Sequence, residues 1–358
     1  MSGFSPFSVS PMHEVAPAIP VALAVATALA ALCAVAAAAL HLTAARLARR
    51  RARYEARLEP LALEVLSGDL SPRSLAARVR PEEADAFLRL LVRLALRLSG
   101  SSRAVLAEAA RPFVSRARAL LRARSPERRA LGAHTLGLLG RADDRELLVG
   151  ALADPSPGVA MVAARALADS GDVGTLPALI ASLHRFEAWG TPAIASMLAR
   201  YGTVGGGLIA LRLVDPMASD ALRVACAEAL RRIGYQPAVA AVEPLLQARA
   251  QTPREVRAAV LRLVADIGTD AQAPAVRRLV NDLDPVVRLH ALSALGALGD
   301  ADRDAPALEA ALADGATPWV ALRAARALDR LGRRDVLERA ARRSTQGADA
   351  ARQILHAS

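Results

Sequence analysis

The chain has 358 residues, of which 53% are hydrophobic and 3% aromatic. That is enough for one extended domain or two compact ones, and helix formers dominate over strand formers, so an all-α fold is expected. The net charge is +11 and no lysine occurs; a GC-rich genome gives this arginine bias as readily as phosphate binding does, so charge alone does not argue for nucleic acid. Cys33 and Cys226 sit in distant segments with no CxxC, which excludes a disulfide or zinc framework.

The first element is an apolar run, IPVALAVATALAALCAVAAAALHL, with no Asp, Glu or Arg between Glu14 and Arg46. As a helix, Ile19 to Leu42 spans about 36 Å, against about 30 Å for a hydrocarbon core. Glu14 precedes the run, whereas Arg46, Arg49, Arg50, Arg51, Arg53 and Arg57 follow it, the reverse of a cleavable signal peptide. The expectation is a single transmembrane helix over 17–45, with residues 1–16 outside and everything from Arg46 onward cytoplasmic. The six arginines read as a stop-transfer and headgroup anchor rather than a nucleic-acid patch. With Glu55 they carry five of the eleven net charges, which leaves a modest remainder for the rest of the chain.

Residues 46–80 are expected to be a basic juxtamembrane linker, helical beyond the bilayer and turning at Ser67-Gly68. Residues 81–125 read as a longer, atypical capping helical pair.

From Pro126 the chain repeats. Gly140, Gly171, Gly202, Gly234, Gly268, Gly299 and Gly332 are separated by 31, 31, 32, 34, 31 and 33 residues. Pro126, Pro157, Pro253, Pro285 and Pro318 stand 14 or 15 residues before such a glycine, and each follows Ser, Thr or Asp. A capping side chain, proline in the first turn and glycine at the end bracket a helix of about fourteen residues. Four residues before each glycine stands Leu136, Leu167, Leu198, Leu230, Val264, Leu295 or Leu328, so this position is predicted to be core. A polar turn and a second apolar-patterned segment follow each glycine, making every repeat helix, turn, helix. Neither helix can bury its stripe alone, so stacked pairs form an α-solenoid over 126–343. The third copy is irregular, with FEAWGTP at its start and GTVGGGL read as its turn. Residues 344–358 form a tail with at most a partial helix.

The copy DPVVRLHALSALGALGD, with PREVRAAVLRLVADIG and PGVAMVAARALADSGD, resembles HEAT repeats of the short bacterial kind found in phycobilin lyases. The Pro-x-Val-Arg start of that type survives in Val256-Arg257 and Val287-Arg288 and nearly in Leu222-Arg223, whereas Ala160, Thr191 and Ala321 replace the arginine. The resemblance implies a right-handed solenoid of about seven HEAT-like pairs, lined on its inner face by second helices, and a location at a bacterial inner membrane. It says little about chemistry, because such repeats serve scaffolds, adaptors and several enzymes.

No catalytic, cofactor or metal residues are expected. The one His-Glu pair, His13-Glu14, lies before the apolar run, so the repeated His-Glu pairs of the similar di-iron hydroxylases are lacking. His134 and His290 take positions expected to face solvent, and Cys226 a small core position. No HExxH, GxSxG or phosphate loop occurs. Arg212, Arg249, Arg277, Arg278 and Arg339 fall on second helices and form the expected partner-binding stripe, complementary to an acidic protein segment. The expected function is a membrane-anchored cytoplasmic scaffold or adaptor that binds a protein, within an envelope or exopolysaccharide assembly; the alternative is a lyase-type or ligand-binding enzyme.

Overall fold

The computed structural model describes residues 18–248, 251–313, 317–343 and 346–357, and among these there is no strand. Two compact units emerge, Met1–Ala110 and Arg111–Ser358.

In the first unit one helix, α1 (Ala18–Ser67), runs through the apolar run and the arginines. At about 1.5 Å per residue it is about 75 Å long. Its segment Leu23–Thr43 has a mean hydropathy of 2.4, is wholly unburied and is long and apolar enough to cross a membrane. Farther along, Leu58, Ala62 and Val65 are buried, and α1 packs on α2 (Pro72–Ala77), α3 (Ala84–Ala95) and α4 (Gly100–Ala110). Phe87, Leu88, Leu90 and Leu91 of α3 complete this core. The expected capping pair over 81–125 is divided: α3 and α4 pack in the first unit, while α5 (Val114–Leu120) packs in the second. The break falls at the 3-10 turn Arg111–Phe113, where Pro112 has no N–H to continue a helix.

After α5 come seven pairs: α6 (Pro126–Leu139) with α7 (Arg145–Ala151), α8 (Pro157–Ser170) with α9 (Leu176–Ser182), and α10 (Thr191–Ala199) with α11 (Gly202–Val214). Then follow α12 (Asp220–Ile233) with α13 (Ala238–Gln247), α14 (Arg254–Ile267) with α15 (Ala273–Arg277), α16 (Pro285–Leu298) with α17 (Ala301–Ala313), and α18 (Pro318–Arg330) with α19 (Arg334–Ala341). A final helix, α20 (Gln346–Ala357), packs on α18 and α19 through buried Ala348, Ala351 and Ile354, where the sequence suggested only a tail. First helices stack on first helices along the row, as α14 on α16 and α16 on α18 do. Second helices form their own row, with α11 between α9 and α13. All seven residues from Leu136 to Leu328 at the predicted core position have no exposed surface.

The helix punctuation follows the sequence in part: Ser156 and Thr317 precede their helices without a side-chain bond to them, and α10 ends at Ala199, so that Gly202 opens α11. Ser125 Oγ accepts from the Arg128 amide and Asp284 Oδ1 from the Val286 amide, as caps should, but α14 begins at Arg254 with Pro253 just outside. Gly140, Gly171 and Gly234 end their helices in the left-handed conformation, whereas Gly268 and Gly299 do not. At Gly299 the requirement is space: a Cβ would lie 2.5 Å from the Leu295 carbonyl oxygen and 2.6 Å from Asp304 Oδ2.

Two sets of ionic ties hold neighbouring elements. The arginine of the Pro-x-Val-Arg start fastens loops between pairs. Arg129 reaches Asp154 with two bonds of 2.7 and 2.9 Å and also donates to the Ala123 and Arg124 carbonyls. Arg257 reaches Asp282 at 2.6 Å, and Arg288 and Arg223 donate to the carbonyls of Asp282 and Leu213. In the second set, a buried acid in the turn that opens a helix takes an arginine 26 or 27 residues earlier: Glu83 from Arg57, Asp144 from Arg118 and Asp304 from Arg277.

Candidate functional site

The arginine stripe predicted for partner binding is largely committed to the fold. Arg277 grips buried Asp304 with Nε–Oδ1 at 2.5 Å and Nη2–Oδ2 at 2.9 Å. Burial alone would raise the Asp304 pKa, but Arg277 and the Asp300 amide hold the carboxyl below its ordinary value. Arg212 pairs with Asp215 at 2.5 Å, and Arg339 with Asp335 at 2.8 Å and Glu309 at 3.9 Å. Arg278 is exposed, and its Nε donates to the Pro274 carbonyl at 3.3 Å. Arg249 lies outside the described residues. Each of Arg212, Arg277 and Arg339 thus already meets a carboxylate: Asp215 and Asp335 lie three and four residues from their arginines, whereas Asp304 comes from another helix.

The six arginines after the apolar run divide similarly. Arg46, Arg49 and Arg53 are exposed on α1, and the side chains of Arg50 and Arg51 lie outside the described residues. Arg57 instead makes two bonds to Glu83 and one to the Arg78 carbonyl. Burial works against the Glu83 charge, yet Arg57 and the Arg80 amide keep its pKa below the usual carboxylate value.

An open apolar groove lies on the second-helix row, at the segment read from sequence as a turn. GTVGGGL is the start of α11, not a loop. A Cβ on Gly206 would lie 2.3 to 2.6 Å from three Tyr235 ring carbons, and one on Gly205 would lie 2.7 Å from Tyr201 Cβ. The glycines thus let two tyrosines lie against the helix backbone, a packing gain that outweighs their poor helix propensity. On the opposite side of α11, Val204, Leu208 and Leu211 project into solvent at helical spacing i, i+4, i+7. With Gly207, Val214, Tyr235, Pro237 and Ala241 they line a groove of about 530 Å³ beside α13. The signal was present in the sequence: apart from Thr203 and Arg212, α11 is apolar, and such a helix is either buried all round or covered by something else.

The remaining candidates for chemistry are enclosed. Cys226 is fully buried, and burial pushes its thiol up to about 12. His290, expected to face solvent, is half-buried with Nε2 at 3.3 Å from Arg262 Nη1; burial, then Arg262 and Arg323, hold its pKa down to about 4. His134 is also half-buried, and burial with Arg165 lowers its pKa. The repeat positions equivalent to His134 are polar, and those equivalent to His290 are Arg323 and mostly small residues; the three-dimensional stacking of first helices shows how much of each ring is covered. Among the described residues no three His, Cys, Asp or Glu side chains gather as a metal site requires.

The stacked helical pairs, the buried leucine row and the inter-pair arginine ties define the class: an α-solenoid of HEAT repeats. Residues 114–199 and 242–329 match the family described as HEAT repeats. Among solved structures, the chain is similar to Kap121p bound to Ste12p, at 16% identity and a TM-score of 0.41 over 81% of this chain and 43% of that one. Kap121p bound to RanGTP is similar at 16% identity and a TM-score of 0.40, over 82% and 42%. An engineered protein, Northeast Structural Genomics Consortium target OR497, is similar at 20% identity and a TM-score of 0.38, over 85% and 95%. The chain thus spans less than half the length of the Kap121p structures it matches. No curated protein matches it in sequence.

Proposed function

We propose that the protein is a membrane-anchored scaffold whose HEAT solenoid binds the apolar side of a partner protein's helix in the α11–α13 groove. The observation that carries this reading is the exposed Val204, Leu208 and Leu211 stripe on a helix whose other side is already core. A soluble surface does not leave such a stripe uncovered without a use, and an amphipathic helix matches its i, i+4, i+7 spacing. The unburied Leu23–Thr43 segment followed by exposed arginines supports the anchor, with the solenoid on the cytoplasmic side of a bacterial inner membrane and the partner in an envelope or exopolysaccharide assembly. The buried thiol, Cys226, is held protonated, which does not support the lyase-type alternative.

Photo-crosslinking from a reactive amino acid at position 208, in cells carrying the full chain, tests the groove. The expected result is a discrete adduct that Leu211→Glu abolishes and Arg278→Glu leaves intact. Equal adducts from a reporter at Ala310, or adducts indifferent to Leu211→Glu, would refute the assignment.

A further inference from the structure

Within the second unit, eight large hydrophobic side chains are exposed among the described residues, and three of them belong to the α11 groove. The other five share one address. Trp189, 47% exposed, ends the turn that leads into α10; Met217, 88% exposed, is in the loop before α12; Leu283, 97% exposed, is in the loop before α16. Val286 and Trp319, the latter 69% exposed, are the second residues of α16 and α18. All five therefore stand where first helices begin.

Direct contacts join the loops before α8, α10 and α12 and, separately, those before α14 and α16, and the stacking of α12 on α14 and of α16 on α18 continues the row of helix starts. Arg185 donates to the Asp154 carbonyl at 2.5 Å, which links the loops before α10 and α8. Ser219 Oγ donates to Glu187 at 2.5 Å, and Arg254 lies 3.6 Å from Asp284, linking two further pairs of loops. Four carboxylates along this edge are matched, Asp154 by Arg129, Asp215 by Arg212, Asp282 by Arg257 and Asp284 by Arg254, while Glu187 takes the Ser219 hydroxyl. The edge thus shows solvent protruding apolar side chains over a background whose negative charge is largely paired.

We infer that this edge docks on the lipid bilayer, with Trp189, Met217, Leu283 and Trp319 entering the interfacial region. Tryptophan, with an apolar ring and an N–H, suits the headgroup boundary, and separated side chains each carried on a loop or at a helix start suit insertion between lipids better than they suit a protein segment. Neutralised carboxylates remove the repulsion that an anionic leaflet would otherwise impose. The inference rests on the anchor in the proposed function, because a span in the same chain keeps the bilayer at high effective concentration and weak single insertions then suffice.

The sequence supplies its own reporter. Trp189 and Trp319 are the only two tryptophans in the chain, so intrinsic emission reads this edge alone. The full chain is incorporated into vesicles of phosphatidylcholine and phosphatidylglycerol with or without brominated acyl chains, alongside Trp189→Phe and Trp319→Phe to isolate each reporter. The expected result is blue-shifted emission, quenched by bromolipid and shielded from aqueous iodide, with the combined Met217→Asp and Leu283→Asp change restoring iodide access. Tryptophans open to iodide and indifferent to bromolipid overturn the inference, while flotation and resistance to alkaline carbonate in the same sample leave the anchor standing. Shielding from both quenchers also overturns it, since protein then covers the edge. Quenching by bromolipid in a carbonate-extractable chain supports the edge and removes the anchor; neither incorporation nor quenching removes both.

Discussion

Asp304→Asn removes one charge at a place where the fold has no replacement. The Asp304 side chain is buried, takes two bonds from Arg277 and a third from the Asp300 amide at 2.8 Å. Breaking a buried pair by removing one partner costs about 3–5 kcal/mol. Arg277 is 21% exposed and recovers part of its hydration, so the expected loss is about 2–3 kcal/mol. Stacked repeats open locally, so the loss is read by native-state hydrogen exchange: amides of α15, α16 and α17 should exchange roughly 30- to 150-fold faster, while those of α6 and α8 stay unchanged. The pH dependence has a definite sign. The Asp304 pKa is lower in the folded chain than its ordinary value of 3.8, so its contribution is complete above that value and is lost as pH falls through the folded one. Wild type and variant should therefore begin to converge as pH falls below 3.8 and become equal only below the folded-state pKa. Equal exchange at neutral pH, or a difference that persists in acid, would refute the reasoning.

Gly206→Ala should destabilise the α11–α13 region by about 1–3 kcal/mol, because the added methyl meets the Tyr235 ring. Adding Tyr235→Ala should then cost less than the sum of the two single changes, measured by a double-mutant cycle in the same exchange experiment. His290, held to about 4 against an ordinary 6.5, stays neutral in the folded chain while the unfolded chain protonates between those values. Its contribution should be complete above about pH 6.5 and fall by about 1–2 kcal/mol toward pH 4, after allowing for screening of a half-buried ring, and His290→Asn should flatten that slope in denaturant titrations. Arg278→Glu, unlike any change at Arg277, should leave melting unaltered, which makes it the sound charge control on that helix.

The fold was legible because its signals are local and repeated. Leu295 four residues before Gly299, and Asp284 with Pro285 at the start of the same helix, state core, cap and first turn within sixteen residues, and the period copies them along the chain. The binding surface was less legible for the opposite reason. Arg277 reads as a surface cation until Asp304, 27 residues away in another helix, folds against it. GTVGGGL reads as a turn on glycine propensity alone, and only the contact with Tyr235, which follows in the next pair, makes those glycines helical and exposes the Val204–Leu208–Leu211 side as a groove. His290 shows the same limit: its neighbour Arg262 comes from the preceding first helix, so its enclosure depends on stacking.

The first-helix arginine ties are unevenly distributed along the array. Arg129, Arg223, Arg257 and Arg288 act as latches in the first, fourth, fifth and sixth pairs, whereas Ala160, Thr191 and Ala321 leave the second, third and seventh without one at that position. The third pair contains α11 itself, which packs on Tyr235 through its glycines and takes Arg223 on its Leu213 carbonyl, and the second and third pairs are tied by other arginines, Arg145 to Asp172 and Arg200 to Asp169 at 2.8 Å each. The second and third pairs are thus fastened from a second-helix start and a first-helix end, not from the first turn of a first helix, so the ionic stitching changes its pattern along the row.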